Sequence, residues 1–185
     1  MTSPGSADVS VRPARASDAA AVAEVQLETW RSGYAQVLPA GALDAVTDAD
    51  AEAHWRDAVL APPSPLHTVF VALHAGRLVG FAAIGPSEDD DATEDRAEIL
   101  ELIVGPGFQQ AGHGSRLLSA AVDRLEEQGV RSLVTWRFAD DEPALTFFRS
   151  AGWANDGSRR TLDMGEPVEQ VRLHTEVGIS VTPTA

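Results

Sequence analysis

The sequence contains no cysteine, no lysine, one tyrosine and no long apolar run. The missing cysteine excludes a disulfide framework, a thiolate metal site and a thiol nucleophile together. No stretch approaches the roughly 20 apolar residues that a membrane-spanning helix needs. Met1 to Asp8 is small and polar, without a basic region leading into an apolar one. No secretory leader is expected, and a cytoplasmic protein is the simplest reading. All 14 basic residues are arginine, against 28 acidic ones, for a formal net charge of −14. Such a surface repels phosphate backbones and argues against a nucleic-acid binder. It would attract cationic acceptors such as amines, although solubility alone also explains it. The arginine-only basic set and the many alanines suit the coding bias of a GC-rich, bacterial genome.

What is present suits one domain: 185 residues, 44% of them hydrophobic. Met1 to Asp8 and Gly178 to Ala185 read as flexible ends, leaving 9–177 as the domain. Val9 to Pro13 is a strand candidate, and Asp18 can cap a helix running to about Arg31. A second helix lies within Leu43 to Leu60, where Thr47 and Asp50 resemble a capping box. His67 to Leu73 and Arg77 to Gly85 form a hairpin around His74-Ala75-Gly76. Glu88 to Asp91 is an acidic run, expected to be a solvated loop. Ala97 to Val104 is a strand. Gly112 to Gln128 is a helix with Leu117, Leu118, Ala121, Val122 and Leu125 on one face. Leu133 to Phe138 is a strand and Pro143 to Ala151 a helix. Arg159 to Met164 and Val168 to Val177 close the chain as a hairpin. The order β-α-α-β-β-β-α-β-α-β-β makes an α/β architecture on a mixed sheet.

Chemistry concentrates between Glu98 and Leu118. A strand leads into Gly105-Pro106-Gly107, and Gln109-x-x-Gly112-x-Gly114 then opens a helix. Unpaired N–H groups and the positive dipole end make a helix start an anion site. Glycines there let a phosphate approach the backbone. No G-x-x-x-x-G-K-[ST] loop exists, and Leu117 stands where a dinucleotide fingerprint needs its third glycine. Plain turn glycines are the alternative. His113, between the glycines, reads as an exposed loop residue. His54, His67, His74 and His174 lack metal-ligand spacing, so no metal is expected.

Glu98-Ile-x-x-Leu-x-Val-x-Pro, followed by Phe108-Gln-x-x-Gly-x-Gly-Ser-x-Leu-Leu, resembles the acetyl-CoA signature of the GNAT superfamily of N-acetyltransferases. Asp141-x-x-Ala-Leu-x-Phe-Phe148-x-x-x-Gly152-Trp153 is similar to the family's second motif, usually Asn-x-x-Ala-x-x-x-Tyr followed by Gly-Phe. The resemblance runs from Val9 to Val177. It implies a single GNAT-like domain on a mixed, mostly antiparallel sheet with helices on both faces, and acetyl-CoA as co-substrate. Leu102, Ile103 and Val104 would pair with the pantetheine arm as an added strand would. Gln109, Gln110, Ala111, Gly112, His113, Gly114 and Ser115 would cradle the pyrophosphate, with Arg116 nearby. Asp141 and Phe148 would lie beside the thiol, and the Val104 N–H would face the oxyanion. Trp30, Tyr34 and the segment to Trp55 would wall the acceptor site. An aromatic wall suits a cation, but Trp30 and Trp55 also fit an ordinary core.

An alkyl amine, pKa about 10.4, must lose a proton before it attacks a thioester. Glu98 sits where many family members place a general base, and partial burial would have to raise its carboxyl. Glu101, three residues on, is expected on the opposite face of the strand and is the second candidate. Solvated carboxylates are the alternative for both. The chain departs from the family at Phe148, where a tyrosine often protonates the leaving thiolate. Its one tyrosine, Tyr34, is far away in sequence. A thiol of pKa about 8.5 still leaves tolerably as thiolate. The second departure is Ala111, where a basic residue is common. The resulting expectation is N-acetylation of a small-molecule amine or a peptide by direct attack. A weakly catalytic CoA-binding sensor and a protein acetyltransferase are the alternatives. No nucleic acid and no membrane partner is expected. A homodimer could form at the sheet edge or through Val168 to Val177.

Overall fold

The computed structural model describes residues 9–178 apart from 36, 40 and 45. The ends expected to be flexible, 1–8 and 178–185, lie outside it except for Gly178. In chain order come β1 (Val9–Pro13), a 3-10 turn (Ala16–Asp18), α1 (Ala19–Gly33), α2 (Asp48–Leu60), β2 (Thr68–His74) and β3 (Arg77–Pro86). There follow β4 (Arg96–Val104), α3 (His113–Glu127), β5 (Ser132–Phe138), α4 (Glu142–Ser150), β6 (Ala154–Asp163) and β7 (Pro167–Glu176). This is the order expected from the periodicity, and the seven strands form one sheet in the order β1-β2-β3-β4-β5-β7-β6. Only the β4–β5 pair is parallel.

Both faces of the sheet are covered, which is why β3 is buried along nearly its whole length. On one face, Val22 and Leu27 of α1 and Trp55 of α2 pack against Val71 and Phe81. On the other, Leu117, Leu118, Ala121 and Leu125 of α3 and Phe148 of α4 pack against Ile99, Leu133 and Leu173. Each fully buried aliphatic or aromatic side chain contributes about 1.5–3 kcal/mol. Trp55 Nε1 donates to Gln26 Oε1 at 2.8 Å, so its one polar atom is satisfied inside the core.

Several local devices differ from expectation. Asp18 does not cap α1; its carboxylate accepts from Arg12 at 2.7 and 3.0 Å and from the Arg15 N–H at 2.7 Å. It closes the 3-10 turn ahead of the helix. Thr47 does cap α2, accepting from the Asp50 N–H at 3.1 Å. The β2–β3 loop has two residues, Ala75 and Gly76, both at positive φ, and His74 pairs with Arg77. β6 begins at Ala154, five residues earlier than expected, because it pairs with β7 on both sides of a bulge. β7 lies between β5 and β6, so both its edges are used; the sheet ends at β1 and β6. Val168 to Val177 is therefore not available as a dimer strand.

The acidic run is not a free solvated loop. Arg172 of β7, 7% exposed, donates to Asp89 at 2.9 Å, to Asp91 at 2.6 and 2.8 Å, and to Asp156 at 2.6 Å. Trp136 Nε1 adds a bond to Asp89 at 3.1 Å. The Arg172 guanidinium holds the Asp91 carboxyl well below its usual range. Arg96 adds an ion pair to Asp91 at 3.1 Å, so two guanidinium groups relieve the mutual repulsion of the acids, and Arg172 draws the loop down onto β5 and β7.

Candidate active site

β4 and β5 pair only through Arg96–Ser132, Ala97–Leu133 and Glu98–Val134. Beyond that point the ladder stops and side chains bridge the gap. Thr135 Oγ1 donates to the Ile99 carbonyl at 2.8 Å and Arg137 Nη2 reaches it at 3.5 Å. Leu102, Ile103 and Val104 pair with β3 on their other side and have no β5 partner. Their backbone is the free strand edge that an extended ligand could join.

A bulge shapes the same strand. Ile99 pairs with Ile84 and Glu101 with Ala83, so Leu100 is an extra residue. The insertion resets the alternation, and Glu98 and Glu101, three apart in sequence, come to line one cavity. The expectation that they face opposite ways is overturned by this single residue. The cavity holds about 170 Å³ and lies on the α1 side of the sheet, walled by Trp30, Tyr34, Trp136, Arg137, Phe138 and Arg160 among others. Tyr34, distant in sequence, sits edge-on to Phe138 with ring centroids 5.3 Å apart. Burial first, and then the Asp141 carboxylate, push its hydroxyl pKa above the ordinary value.

Glu98 is 8% exposed. Burial pushes its carboxyl up to about 7; Arg160 and Arg137 oppose the shift and Asp89 adds to it. Asp89 is the residue that the Arg172 clamp draws in. Burial also raises Glu101, with Arg137 opposing. Glu98 thus titrates where a base for neutral-pH chemistry should.

The glycine-rich segment lies at the other end of the same strand. Gly105 anchors it, its N–H donating to Val79 O at 2.8 Å. Gln110 at φ 60 and Gly112 at φ 81 alternate with ordinary residues, a backbone pattern that turns N–H groups toward one concavity. The first helical bond of α3 runs from Arg116 N–H to Gly112 O, so the amides ahead of it lack helical partners. A Cβ on Gly114 would lie 3.3 Å from the Phe147 ring, and one on Gly112 would lie 2.9 Å from Arg116 Nη1. Arg116 folds back to donate to Ala111 O at 3.3 Å, which brings a cation to the position where Ala111 supplies none. Gln109 Nε2 ties the loop to Val104 O at 3.2 Å.

His113 is not an exposed loop residue. It is 1% exposed, edge-on to His74 at 5.4 Å, and neither ring nitrogen has a hydrogen-bond partner among the described residues. Its side chain turns under the loop into the core, and burial, with His74 beside it, pushes its pKa down. Asp141 caps α4, accepting from the Ala144 N–H at 3.1 Å, and Phe148 is buried behind the parted strands. Arg137, Trp136 and Arg160 were not among the residues singled out from the sequence. One signal was available: Arg137 is the one charge inside the β-prone, mostly apolar run Leu133 to Phe138.

Fold and site together define an α/β protein whose sheet opens beside a glycine-rich helix start. Residues 25–153 match the Acetyltransferase (GNAT) family, and the chain belongs to that family. The N-acetyltransferase YuaI of Bacillus subtilis (strain 168) is 27% identical over 143 residues, 77% of this chain and 78% of that one. The PaiA N-acetyltransferase of Thermoplasma acidophilum, solved in complex with coenzyme A, superposes with a TM-score of 0.76 at 15% identity, covering 91% of this chain and 99% of that chain. YncA of Salmonella typhimurium, solved with its cofactor acetyl-CoA, gives 0.70 at 19% identity, covering 96% and 98%. Among the described residues no helix is long and apolar enough to cross a membrane.

Proposed function

We propose that the protein transfers an acetyl group from acetyl-CoA to a primary amine by direct attack, with Glu98 as the general base. The observation that carries this reading is the buried Glu98 carboxyl, held near pH 7 where β4 and β5 part. The family match and the coenzyme A and acetyl-CoA in the two structural neighbours support the choice of co-substrate. The glycine cradle suits its pyrophosphate: Gln109 to Ser115 offer amides without bulk at 112 and 114, and Arg116 adds charge. The free edge of Leu102, Ile103 and Val104 suits the pantetheine arm. Asp141 and Phe148 stand beside the gap in which a thioester would lie.

Acetyl-CoA supplies the activated acyl group. Glu98 as carboxylate takes a proton from the bound ammonium, and the freed amine attacks the thioester carbon. The Val104 N–H, on the β4 edge without a β5 partner, is the proposed donor to the developing oxyanion. The C–S bond then breaks, and the second proton that the attacking nitrogen must lose passes to the departing thiolate or to water, leaving the neutral amide and free CoA. Tyr34 is a poor acid for the thiolate, because its hydroxyl is held above an ordinary value of about 10 while the thiol needs only about 8.5. Trp30 and Tyr34 wall the acceptor. The cavity suits a small molecule or the end of a peptide.

Phe148 favours one second reading, a CoA-binding module with little turnover. Release of free thiol from acetyl-CoA over a panel of amines, wild type against Glu98→Gln, separates the two. Turnover that Glu98→Gln abolishes supports the enzyme and its base. Tight acetyl-CoA binding without turnover on any amine supports the sensor.

A further inference from the structure

The cavity contains more positive charge than a site for a simple amine requires. Arg137 and Arg172 are equally buried, at 8% and 7% exposure. Arg172 is matched by three aspartates. Arg137 has no carboxylate within 4.0 Å among the described residues; its one hydrogen bond is the 3.5 Å contact to Ile99 O, and its Nε has no partner. One face of its guanidinium lies over the Phe148 ring, 4.9 Å from the centroid. Arg160, on the same cavity, stacks on Trp136 at 4.4 Å and donates to Gln170 Oε1 at 2.7 Å, also with no carboxylate partner among the described residues. Glu98 and Glu101 line the same cavity, but among the described residues neither forms an ion pair with Arg137 or Arg160. A buried guanidinium is unfavourable unless something pairs with it. In a chain of net charge −14, with many acids available, the buried Arg137 is left to an anion from outside, and the solvent-exposed Arg160 lines the same cavity.

Building on the acetyltransferase reading, we propose that the acceptor is an amine bearing a carboxylate, an amino-acid-type molecule whose carboxylate is held by Arg137 and Arg160 while its amine faces Glu98. Guanidinium and carboxylate match in geometry as well as charge. A bare alkylammonium would bring a further cation to a cavity that already holds two guanidinium groups, with no carboxylate of its own to pair with them, and would bind less well. The acidic exterior and the cationic cavity then divide the work. The exterior sets general solubility, and the cavity selects a zwitterion.

The test uses acceptor pairs that differ only in the carboxylate: tyrosine and tyramine, phenylalanine and phenethylamine, lysine and cadaverine. Acetyl-CoA binding, measured separately by calorimetry, tests the acetyltransferase reading itself, and Arg160→Gln should leave it unchanged. The acceptor ratio tests the present proposal. The carboxylated member of at least one pair should have the higher kcat/KM by about 10- to 100-fold, through KM. Arg160→Gln and Arg137→Lys should bring that ratio toward one. A decarboxylated partner that is equal or better in every pair would overturn the proposal. So would an Arg137→Lys loss that is the same for both members, which would assign Arg137 to the thioester sulfur. Should no pair turn over, calorimetric binding of the same pairs to the acetyl-CoA complex decides it: tighter binding of a carboxylated member supports the proposal, and no preference overturns it.

Discussion

The glycine-rich loop, proposed to hold the pyrophosphate, and the cavity, proposed to take the acceptor, are built along one strand, β4, by opposite means. The loop is a contiguous run from Gly105 to Arg116 whose chemistry is backbone amide. Its requirements are positive φ at Gln110 and Gly112 and the absence of bulk at Gly114. The cavity collects carboxyl, guanidinium and indole groups from α1, the segment after it, β4, β5, β6 and β7. Its character depends on a bulge at Leu100 and on a clamp whose centre, Arg172, is not among its lining residues. Damage to the loop should appear as weaker acetyl-CoA binding. Damage to the cavity should appear in acceptor use and pH dependence, with acetyl-CoA binding intact.

Glu98→Gln is the sharpest test of that division and the largest expected effect. General-base loss should lower kcat/KM for the acceptor by about 10²–10⁴-fold, with the acetyl-CoA Kd unchanged. Wild-type activity should rise with pH through an apparent pKa near 7, because only the carboxylate accepts the proton. In the variant that limb should disappear. A wild-type limb centred near 4 would mean that water reaches Glu98 and that burial is not tuning it.

Arg172→Met attacks the cavity from a distance. Removing it leaves Asp89, Asp91 and Asp156 without their common partner. Asp91 is well exposed, so the cost should sit at the low end for a broken buried pair, about 3 kcal/mol by urea unfolding. Asp91 is depressed in the folded state, so its contribution is complete above the unfolded value of about 3.9 and is lost as pH falls through the lower folded value. Wild type should therefore lose stability below about pH 4, and the variant should lose less there. Acceptor KM should rise as the acidic loop loosens, while acetyl-CoA binding stays put. Equal weakening of both ligands would mean that the cavity and the loop are one unit.

The same contrast explains what could be read from the sequence. The element order and the glycine loop were legible, because period and contiguous motif are local properties. Glu98 was legible through its place in the motif. Its relation to Glu101 was not, because one inserted residue, Leu100, reverses a face assignment that simple alternation makes. Tyr34 and Phe138 are about a hundred positions apart, and only the meeting of the α1 end with β5 makes them neighbours. The run from Glu88 to Asp91 looked solvated because its partner, Arg172, lies some eighty residues downstream. His113 looked exposed because its glycine neighbours belong to a surface loop, while its own side chain faces inward.

Gly112→Ala should have a smaller effect, confined to the loop. A left-handed residue other than glycine costs about 1 kcal/mol, and the new Cβ would press on the Arg116 guanidinium, a flexible group that can move away. Acetyl-CoA Kd should weaken several-fold, with acceptor KM and the pH profile unchanged. A shifted pH profile would show that loop geometry reaches Glu98 through β4.

His113→Leu should change least at neutral pH and tests whether the loop is a purely backbone device. The imidazole is buried without a polar partner, so folding favours its neutral form and its pKa is depressed. Above the unfolded value of about 6.5 both states are neutral and His113 places no charge on the fold. As pH falls below that value the unfolded chain takes up the proton first, and stability declines by at most about 1.4 kcal/mol per pH unit. The leucine variant should match wild type near pH 8 and lose that part of the decline between pH 6.5 and 5. Protonation in the core would also place a cation under the amides that should hold a pyrophosphate. Loop and histidine would then be coupled, and acetyl-CoA binding would raise the His113 pKa, which NMR titration of the imidazole reads directly. An unmoved pKa in the presence of acetyl-CoA would leave the loop as backbone alone, with His113 as filling beneath it.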